Sequence, residues 1–397
     1  MRKKMLSIIA GVLCALFVTT AWASKETSPI KIGLLCPLSG VFALIGQSMK
    51  SGFILAFEQT GNIGGRKVEI IVEDTEAKVD IAVAKAKKLV SADKVHLLAG
   101  GVASSEGLAI RDFAEANQIP YICTTGTAAI EFISTKRSKW MKHPWIAANL
   151  FGGHLPYYMV KELGAKRVIT MAPDYAWGHS EVQWAKASAE QGGGTVVQTI
   201  LTPFPTLDFS PYLTQLKSAD VLIANYAGAD APRLVKQFRE YGIKMLFAGG
   251  GTFTPETVEV MGRDPIGCYA AAPWFPVLEN PENVAYMKAY RARYGKESGL
   301  YAAGTYSSAL VLIDVLRNVN GDVEEKERFL NAWYGLERKT VKTPCGEIGY
   351  EKVTEAGIWE VHICKIVEKG GKITYEILKT DKGLKGSDQL KIMGLLK

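Results

Sequence analysis

The chain has 397 residues, of which 48% are hydrophobic and 22% are charged. This is the composition of a folded protein of two or three domains, and it excludes a mainly disordered or low-complexity chain. The net charge of +7 is spread along the sequence rather than gathered into a basic patch, which argues against a nucleic-acid partner.

The first 23 residues have the pattern of a secretory signal peptide. Arg2, Lys3 and Lys4 precede the apolar run MLSIIAGVLCALFV, and AWA, which ends at Ala23, supplies the small residues of a cleavage site. The run of about 14 residues is shorter than the roughly 20 that span a bilayer, so cleavage is favoured over a membrane anchor. Leu13 is too large to precede a lipidated Cys14. We therefore expect a periplasmic protein whose net charge falls by three, from +7 to +4, when the peptide is removed.

Strand-like and helix-like segments then alternate in chain order. Strands are predicted at 30–35, 61–74, 95–101 and 119–125, with helices at 44–60, 80–94 and 104–118. The alternation starts again with strands at 166–173, 192–201, 219–226 and 243–250, and helices at 177–191, 209–218 and 230–242. Helices at 280–295 and 299–319 follow, and the chain after Cys345 alternates like antiparallel strands. This order predicts an α/β fold with two similar, doubly wound parallel sheets.

Five cysteines remain once the signal peptide is removed, so at least one thiol is unpaired. One disulfide is predicted in an oxidising compartment, and Cys345 with Cys364 is the candidate pair, because these cysteines flank strand-like runs that could be neighbours. The five histidines are scattered and the chain has no CxxC motif, so we predict no metal site and no other cofactor. The other cysteines, whose pairing the sequence leaves open, are Cys36, Cys123 and Cys268.

The loops that follow the strands are where a parallel α/β sheet binds its ligand. They read CPLSGVFALIG, GGVASSEG, TTGTA, APDYAWG, NYAGAD and GGGTF. Glycine, serine, threonine and aromatic residues dominate them, and general acids and bases are almost missing. This pattern favours holding a small molecule over transforming it, and we expect no enzyme.

The loop GGVASSEG, which starts at Gly100, has three chemical interpretations. A serine-hydrolase elbow needs glycine two residues before the nucleophile, and Ala103 stands there before Ser105. The glycine motifs of nucleotide-binding loops are also missing. The third interpretation is an anion-binding helix start that Ser104 or Ser105 caps, an ordinary cap without a ligand being the alternative. Further hydroxyl groups follow the next strand, at Thr124, Thr125 and Thr127.

Several segments, in consistent order over nearly the whole chain, resemble one family. They are IKIGLLCPLSGVFALIGQSMKSGFILAFE, GNIGGRKVEIIVEDTEA, ASSEG, IPYICTTGTA, APDYAWG and PENVAYMKAYRARYG. The chain resembles the type I periplasmic substrate-binding proteins of branched-chain amino acid type ABC transporters (leucine/isoleucine/valine-binding-protein-like). The resemblance implies two lobes joined by a three-crossover hinge that clamps a ligand and docks on a membrane permease. Lobe 1 would comprise 24–148 plus 275–343, and lobe 2 would comprise 149–274 plus 344–397. A monomer is the default for such a clamp.

The resemblance also implies a ligand site. Ser104 and Thr127 would meet a ligand carboxylate, and Ala103 and Thr125 would offer backbone groups. Lobe 2 would contribute Trp177, which matches the family's D-x-x-(aromatic)-G pattern, and the neighbouring Tyr175. It would also contribute Tyr226 and Asp230 from the next cleft loop.

The chain departs from the family where amino-acid-binding members carry an acid for the ligand ammonium. Gly249, Gly250 and Gly251 stand there, so an α-amino acid is disfavoured unless Asp230 replaces that acid. Trp177, Tyr226, Trp274 and Phe275 could stack on a ligand, although Trp274 and Phe275 would serve equally in hinge packing. We therefore expect a carboxylate ligand with an apolar or aromatic body. A branched-chain or other hydrophobic amino acid, or an amide, is the alternative, and a sensory binding protein without transport is a second one.

Overall fold

The computed structural model describes residues 28–124, 129–146 and 152–397. The predicted signal peptide lies outside these ranges, as do two of the predicted site residues, Thr125 and Thr127.

The strands in the described ranges form one hydrogen-bonded sheet with the order β2-β1-β3-β4-β5-β13-β10-β9-β8-β6-β7, and β11, β12 and β14 are attached to it beside this path. Their bounds are β1 Ile30–Cys36, β2 Val68–Asp74, β3 Leu97–Gly100, β4 Tyr121–Ile122, β5 Met141–Ile146, β6 Arg167–Pro173, β7 Thr195–Thr202, β8 Val221–Ala224, β9 Leu246–Gly249, β10 Tyr269–Ala272, β11 Val341–Thr343, β12 Gly346–Glu351, β13 Ala356–Lys369 and β14 Lys372–Leu384.

Helices connect most of these strands. Their bounds are α1 Ala43–Thr60, α2 Val79–Ser91, α3 Ser104–Asn117, α4 Leu155–Lys161, α5 Ala176–Gln191, α6 Ser210–Leu213, α7 Asp230–Glu240, α8 Pro255–Val260, α9 Pro281–Tyr294, α10 Leu300–Asn318, α11 Lys326–Ala332 and α12 Gly386–Ile392. In α2 the fully buried Ala82, Ala86 and Leu89 recur every three or four positions, so one face of that helix packs inward.

The sheet has two parallel halves. In the first half, β2, β1, β3, β4 and β5 are paired in parallel. In the second half, β10, β9, β8, β6 and β7 are paired in parallel too. The predicted doubly wound α/β architecture is therefore confirmed, because each half repeats the strand–helix alternation read from the sequence.

The long strand β13 joins the halves. Near its start, Ala356 pairs with His143 of β5, and farther along His362 pairs with Ala272 of β10. The chain passes to the second half between β5 and α4, returns between β10 and α9, and crosses again along β13. β11 lies beside α10, and β12 lies beside the 3-10 turn Trp333–Glu337, ahead of this last crossing. The lobe boundaries given above stay a prediction.

Helix α1 is long and apolar because it is a core helix. Among the described residues, Gly40–Thr60 is the one helical segment long and apolar enough to cross a membrane, and 56% of its most apolar stretch is buried inside the protein. It packs along α10, whose residues are also mostly buried.

The predicted disulfide between Cys345 and Cys364 was wrong. Cys345 and Cys364 are both buried free thiols, and so are the other three cysteines. The Cys345 Sγ atom instead accepts a hydrogen bond from Ser307 Oγ at 3.2 Å. Burial raises the pKa of the Cys345 thiol to about 12, which keeps it protonated and unreactive.

Candidate ligand-binding site

The loops after the parallel strands of both halves meet around two adjoining cavities. The inner cavity has a volume of about 20 Å³ and is lined by Phe42, Ile45, Val102, Tyr175, Trp177, Ala227 and Tyr301. The outer cavity has a volume of about 400 Å³ and shares Ile45 and Tyr301 with the inner one. An inner space of this size holds about one water molecule, so the two halves are closed upon one another.

A row of aromatic rings runs beside the inner cavity, and Phe42, Tyr175 and Trp177 of this row line it. The Phe42 ring, from the first half, stacks on Phe204 of the second half with centroids 5.5 Å apart. Tyr175 continues the row, 4.9 Å from Phe204 and 6.1 Å from Trp177. Offset and tilted contacts of this kind are favourable for aromatic groups, and a flat apolar ligand body would make the same contacts.

Buried hydrogen bonds fix the position of Trp177. Its Nε1 donates to Glu181 Oε1 at 2.9 Å, and Asn225 Nδ2 donates to Glu181 Oε2 at 2.7 Å. Asn225 Oδ1 in turn accepts from the Gly250 backbone N at 2.8 Å. Burial raises the pKa of Glu181 to about 8, against the hydrogen bond from Trp177. The network ties the loops after β6, β8 and β9 together.

Gly251 allows the Trp177 ring to pack against the loop after β9. A Cβ atom at Gly251 would lie 2.7 Å from Trp177 Cη2, closer than carbon atoms approach in folded proteins. Gly251 lines the outer cavity and leaves the space that the Trp177 ring occupies, while a role in ligand binding stays a prediction.

Helix α3 begins beside the inner cavity, and its cap differs from the prediction. The N-cap residue is Ala103, and neither Ser104 nor Ser105 caps the helix, because both are its first residues. Glu106 reaches back instead, and its Oε1 accepts from Val102 N at 2.7 Å and Ala103 N at 3.3 Å. Burial raises the pKa of Glu106 despite these bonds. Ser104 is 1% exposed, whereas Ser105 is only partly buried.

Tyr226 and Asp230 are engaged within the second half. The Tyr226 hydroxyl hydrogen bonds with Thr202 Oγ1 at 2.9 Å, and the ring is fully buried. Asp230 Oδ1 forms an ion pair with Arg233 at 2.9 Å, and Oδ2 accepts from Thr206 N. Asp230 is therefore already paired and does not take the position of the missing acid.

Trp274 and Phe275 lie outside both cavities. The Trp274 indole is fully buried and donates to Asn283 Oδ1 at 2.7 Å, and Phe275 packs on Tyr375 with centroids 4.5 Å apart. These contacts lie at the return from β10 to α9, and packing in a hinge there stays a prediction. Ala103 and Thr124 are buried at the ends of the loops after β3 and β4, and Thr125 and Thr127 lie outside the described residues.

Sequence reasoning missed several wall residues. Phe42 lies in CPLSGVFALIG, a loop expected at the cleft, so its place after the first strand was an available signal. Phe204, which contacts Phe42 and Tyr175, lies two residues after β7, in a loop that was not predicted to lie at the cleft. Tyr301 follows no strand end. Glu256, which lines the outer cavity, lies in the short helix that follows GGGTF.

The lining of the two cavities is mostly apolar, aromatic and small. Among the described residues that line the two cavities, none is Lys, Arg or His. The described part of the chain also contains no group of three or more His, Cys, Asp or Glu side chains that could hold a metal ion.

Comparison with known proteins agrees with this fold. Residues 29–372 match the family described as periplasmic binding protein. The Leu/Ile/Val-binding protein homolog 6 of Brucella melitensis is 25% identical, with 86% of this chain and 88% of the relative covered.

Two solved structures superpose well. The ABC transporter substrate-binding protein from Sphaerobacter thermophilus has a TM-score of 0.83 and 27% identity over 89% of this chain and 98% of that chain. A solute-binding protein of an R. palustris ABC transporter, solved with 4-hydroxybenzoate, has a TM-score of 0.84 and 22% identity over 92% and 100%.

The expected type I binding-protein fold is thus confirmed. Since the family match extends over most of the sequence, the chain belongs to the periplasmic binding proteins and is a non-enzymatic solute-binding protein of the ABC transporter type.

Proposed function

We propose that this protein binds a small carboxylate with an apolar or aromatic body between its two halves and delivers it to a membrane permease. The observation that carries the proposal is the set of aromatic rings that line the inner cavity, Phe42, Tyr175 and Trp177, with Phe204 in contact with the first two. An aromatic ligand body could take over the ring contacts that these side chains now make with one another, which requires the inner cavity to widen from its present volume of about 20 Å³.

The carboxylate end of the ligand would lie at the start of α3. Val102 lines the inner cavity, so the first turn of α3, with Ser104, adjoins it. Because the described lining residues include no base, backbone N–H groups, the helix dipole and the hydroxyls of Ser104 and Thr127 would supply the hydrogen bonds. Burial raises the pKa of Glu106 in the same turn, which lessens the repulsion between this carboxyl and a bound anion.

The chemistry opposite the carboxylate argues against an α-amino acid. Gly249–Gly251 offers no side-chain acid, and Asp230 is paired with Arg233. An ammonium group buried without an acidic partner costs several kcal/mol. The R. palustris neighbour solved with 4-hydroxybenzoate shares the fold, and its ligand is of the proposed class.

A hydrophobic amino acid or its amide is the second candidate ligand. Glu256 supports it, because this carboxyl lines the outer cavity and could accept hydrogen bonds from an ammonium or amide group. The curated relatives are named as Leu/Ile/Val-binding protein homologs, which also favours this class.

The wider proposal is an exported, monomeric clamp. Cleavage near Ala23 would release it into the periplasm, and lobe 1 (24–148 plus 275–343) would close on lobe 2 (149–274 plus 344–397). β13 and the two other passages between the halves would form the hinge. If no permease is encoded beside the gene, a sensory role without transport becomes the better proposal.

A thermal-shift screen tests the ligand class. Protein without residues 1–23 is unfolded, dialysed to remove ligand and refolded, and then heated with benzoate, 4-hydroxybenzoate, leucine, valine or leucinamide. Benzyl alcohol is the matched control, because it keeps the ring and lacks the carboxylate. We expect a raised midpoint with the aromatic acids and none with benzyl alcohol. A large shift with leucine or valine, and none with the acids, would contradict the proposal.

A further inference from the structure

We propose that Glu256 is a positioning residue that latches the two halves in the closed form and thereby sets ligand affinity. This inference rests on the proposed closure of the halves over a ligand, but not on the identity of the ligand.

The latch is a hydrogen bond between the two halves. Glu256 lies in α8, which follows β9 of the second half, and its Oε1 accepts from the backbone N of Tyr301 at 2.9 Å. Tyr301 is the second residue of α10, which packs against α1 and β5 of the first half. The bond therefore joins parts of the molecule that separate when such a clamp opens.

Helix α10 provides no cap of its own, and Glu256 supplies it. The N-cap residue is Gly299, which has no side chain to accept from the first backbone N–H groups. A carboxylate is the preferred partner for these groups, because they carry the positive end of the helix dipole. In most helices this acceptor comes from the same helix, whereas here it comes from the other half of the protein.

Gly299 and Glu256 are complementary in shape. A Cβ atom at Gly299 would lie 2.1 Å from Glu256 Oε1, so any other residue would displace the carboxylate. The backbone of Gly299, with φ −104° and ψ 178°, is extended and would accept alanine without strain. Glycine at position 299 therefore makes room for the Glu256 carboxylate and is not required by the backbone conformation.

The latch differs in kind from two further contacts between the halves. The Phe42–Phe204 stack is apolar, and the bond from Ile130 N to Ser180 Oγ, 3.0 Å long, joins neutral groups. Glu256 and Tyr301 both line the outer cavity, and Tyr301 lines the inner one as well. Losing the latch would favour the open form, and ligand affinity would fall in proportion to the population of the closed form.

The test compares Glu256→Ala, Glu256→Gln and Gly299→Ala with wild type, with Glu259→Ala as control. Glu259 is an exposed acid in the same helix. Hydrogen exchange of the peptide that starts α10 and the radius of gyration from X-ray scattering are measured without ligand. Dissociation of 4-hydroxybenzoate is measured by stopped flow.

We expect faster exchange at the start of α10 and a larger radius of gyration for Glu256→Ala and Gly299→Ala, and dissociation about tenfold faster. Glu256→Gln, which keeps an acceptor, should be intermediate, and Glu259→Ala should match wild type. The double variant Glu256→Ala with Gly299→Ala should be no more open than either single variant, because each substitution removes the same contact.

Wild-type exchange and scattering in both Glu256→Ala and Gly299→Ala would overturn the latch. A purely structural role would lower the midpoint of global unfolding without opening the protein, which also contradicts it. If 4-hydroxybenzoate does not bind wild type, the proposed ligand class fails, while exchange and scattering still decide on the latch.

Discussion

Replacing Gly251 by alanine should disturb the ligand site without removing any polar group. The new Cβ would lie 2.7 Å from Trp177 Cη2 and 2.9 Å from Trp177 Cζ2. The indole must then move by about 0.7 Å to reach ordinary carbon contact. Its Nε1 is held by Glu181, so the ring cannot move without straining that buried bond. Overpacking of this kind typically costs about 1–3 kcal/mol.

The cost should appear in both stability and binding. We expect urea unfolding of Gly251→Ala to show a free energy of unfolding lower by about 1–3 kcal/mol. Calorimetry with the strongest ligand of the thermal-shift screen should show affinity about tenfold weaker, since 1.4 kcal/mol corresponds to a factor of ten. Gly335→Ala is the matched control, because a Cβ there meets nothing within 4 Å. If Gly251→Ala equals Gly335→Ala in both measurements, Trp177 does not form the wall of the site.

Three further predictions concern the carboxylate end, the buried acid and the thiols. Ser104→Ala combined with Thr127→Ala should weaken carboxylate binding by roughly 2–4 kcal/mol, because charge-assisted partners are lost, and unchanged affinity in calorimetry would remove both residues from the site. The pKa of Glu181 is raised from 4.5 to about 8 on folding, so its stabilising contribution is complete below pH 4.5 and is lost as the pH rises through 8. Wild-type stability should therefore fall by up to about 1.4 kcal/mol per pH unit across that range relative to Glu181→Gln, and parallel pH profiles would show that this carboxyl does not titrate as described. All five thiols of the described chain are buried and free, so a thiol reagent should react with none in the native protein and with all five after denaturation, and fewer than five then would mean that a disulfide had formed.

The fold could be predicted because its signals are local and repeated. Buried strands such as Ile30–Cys36 are apolar along their length, and helices such as Val79–Ser91 place apolar residues every three or four positions. Their strict alternation leaves few topologies other than parallel sheets. The chain order of the strands also placed the loops with Trp177 and Gly251 at one edge.

Side-chain orientation within those loops could not be predicted in the same way. Tyr226 and Asp230 follow a strand at the cleft, but they hydrogen bond with Thr202, Thr206 and Arg233, because buried polar groups need partners. The same rule explains the start of α3, where the buried carboxyl of Glu106 accepts from the amides of Val102 and Ala103 and so gives these buried groups a partner.

Site residues contributed by elements far apart in the sequence were the hardest to predict. Tyr301 begins a helix after the return between the halves, and its role depends on contacts with α8, about 45 residues earlier in the chain. No periodicity or motif near Leu300 reports that contact. The disulfide expected between Cys345 and Cys364 failed for a related reason, since neighbouring strand-like runs in sequence do not determine which side chains face each other.

A crystal structure of the protein with the strongest carboxylate ligand of the screen tests the central claim most directly. We expect the ligand carboxylate within hydrogen-bond distance of the first turn of α3 and its body between Phe42, Tyr175 and Trp177. A ligand whose carboxylate lies elsewhere, or whose ammonium group pairs with a buried acid, would contradict the account.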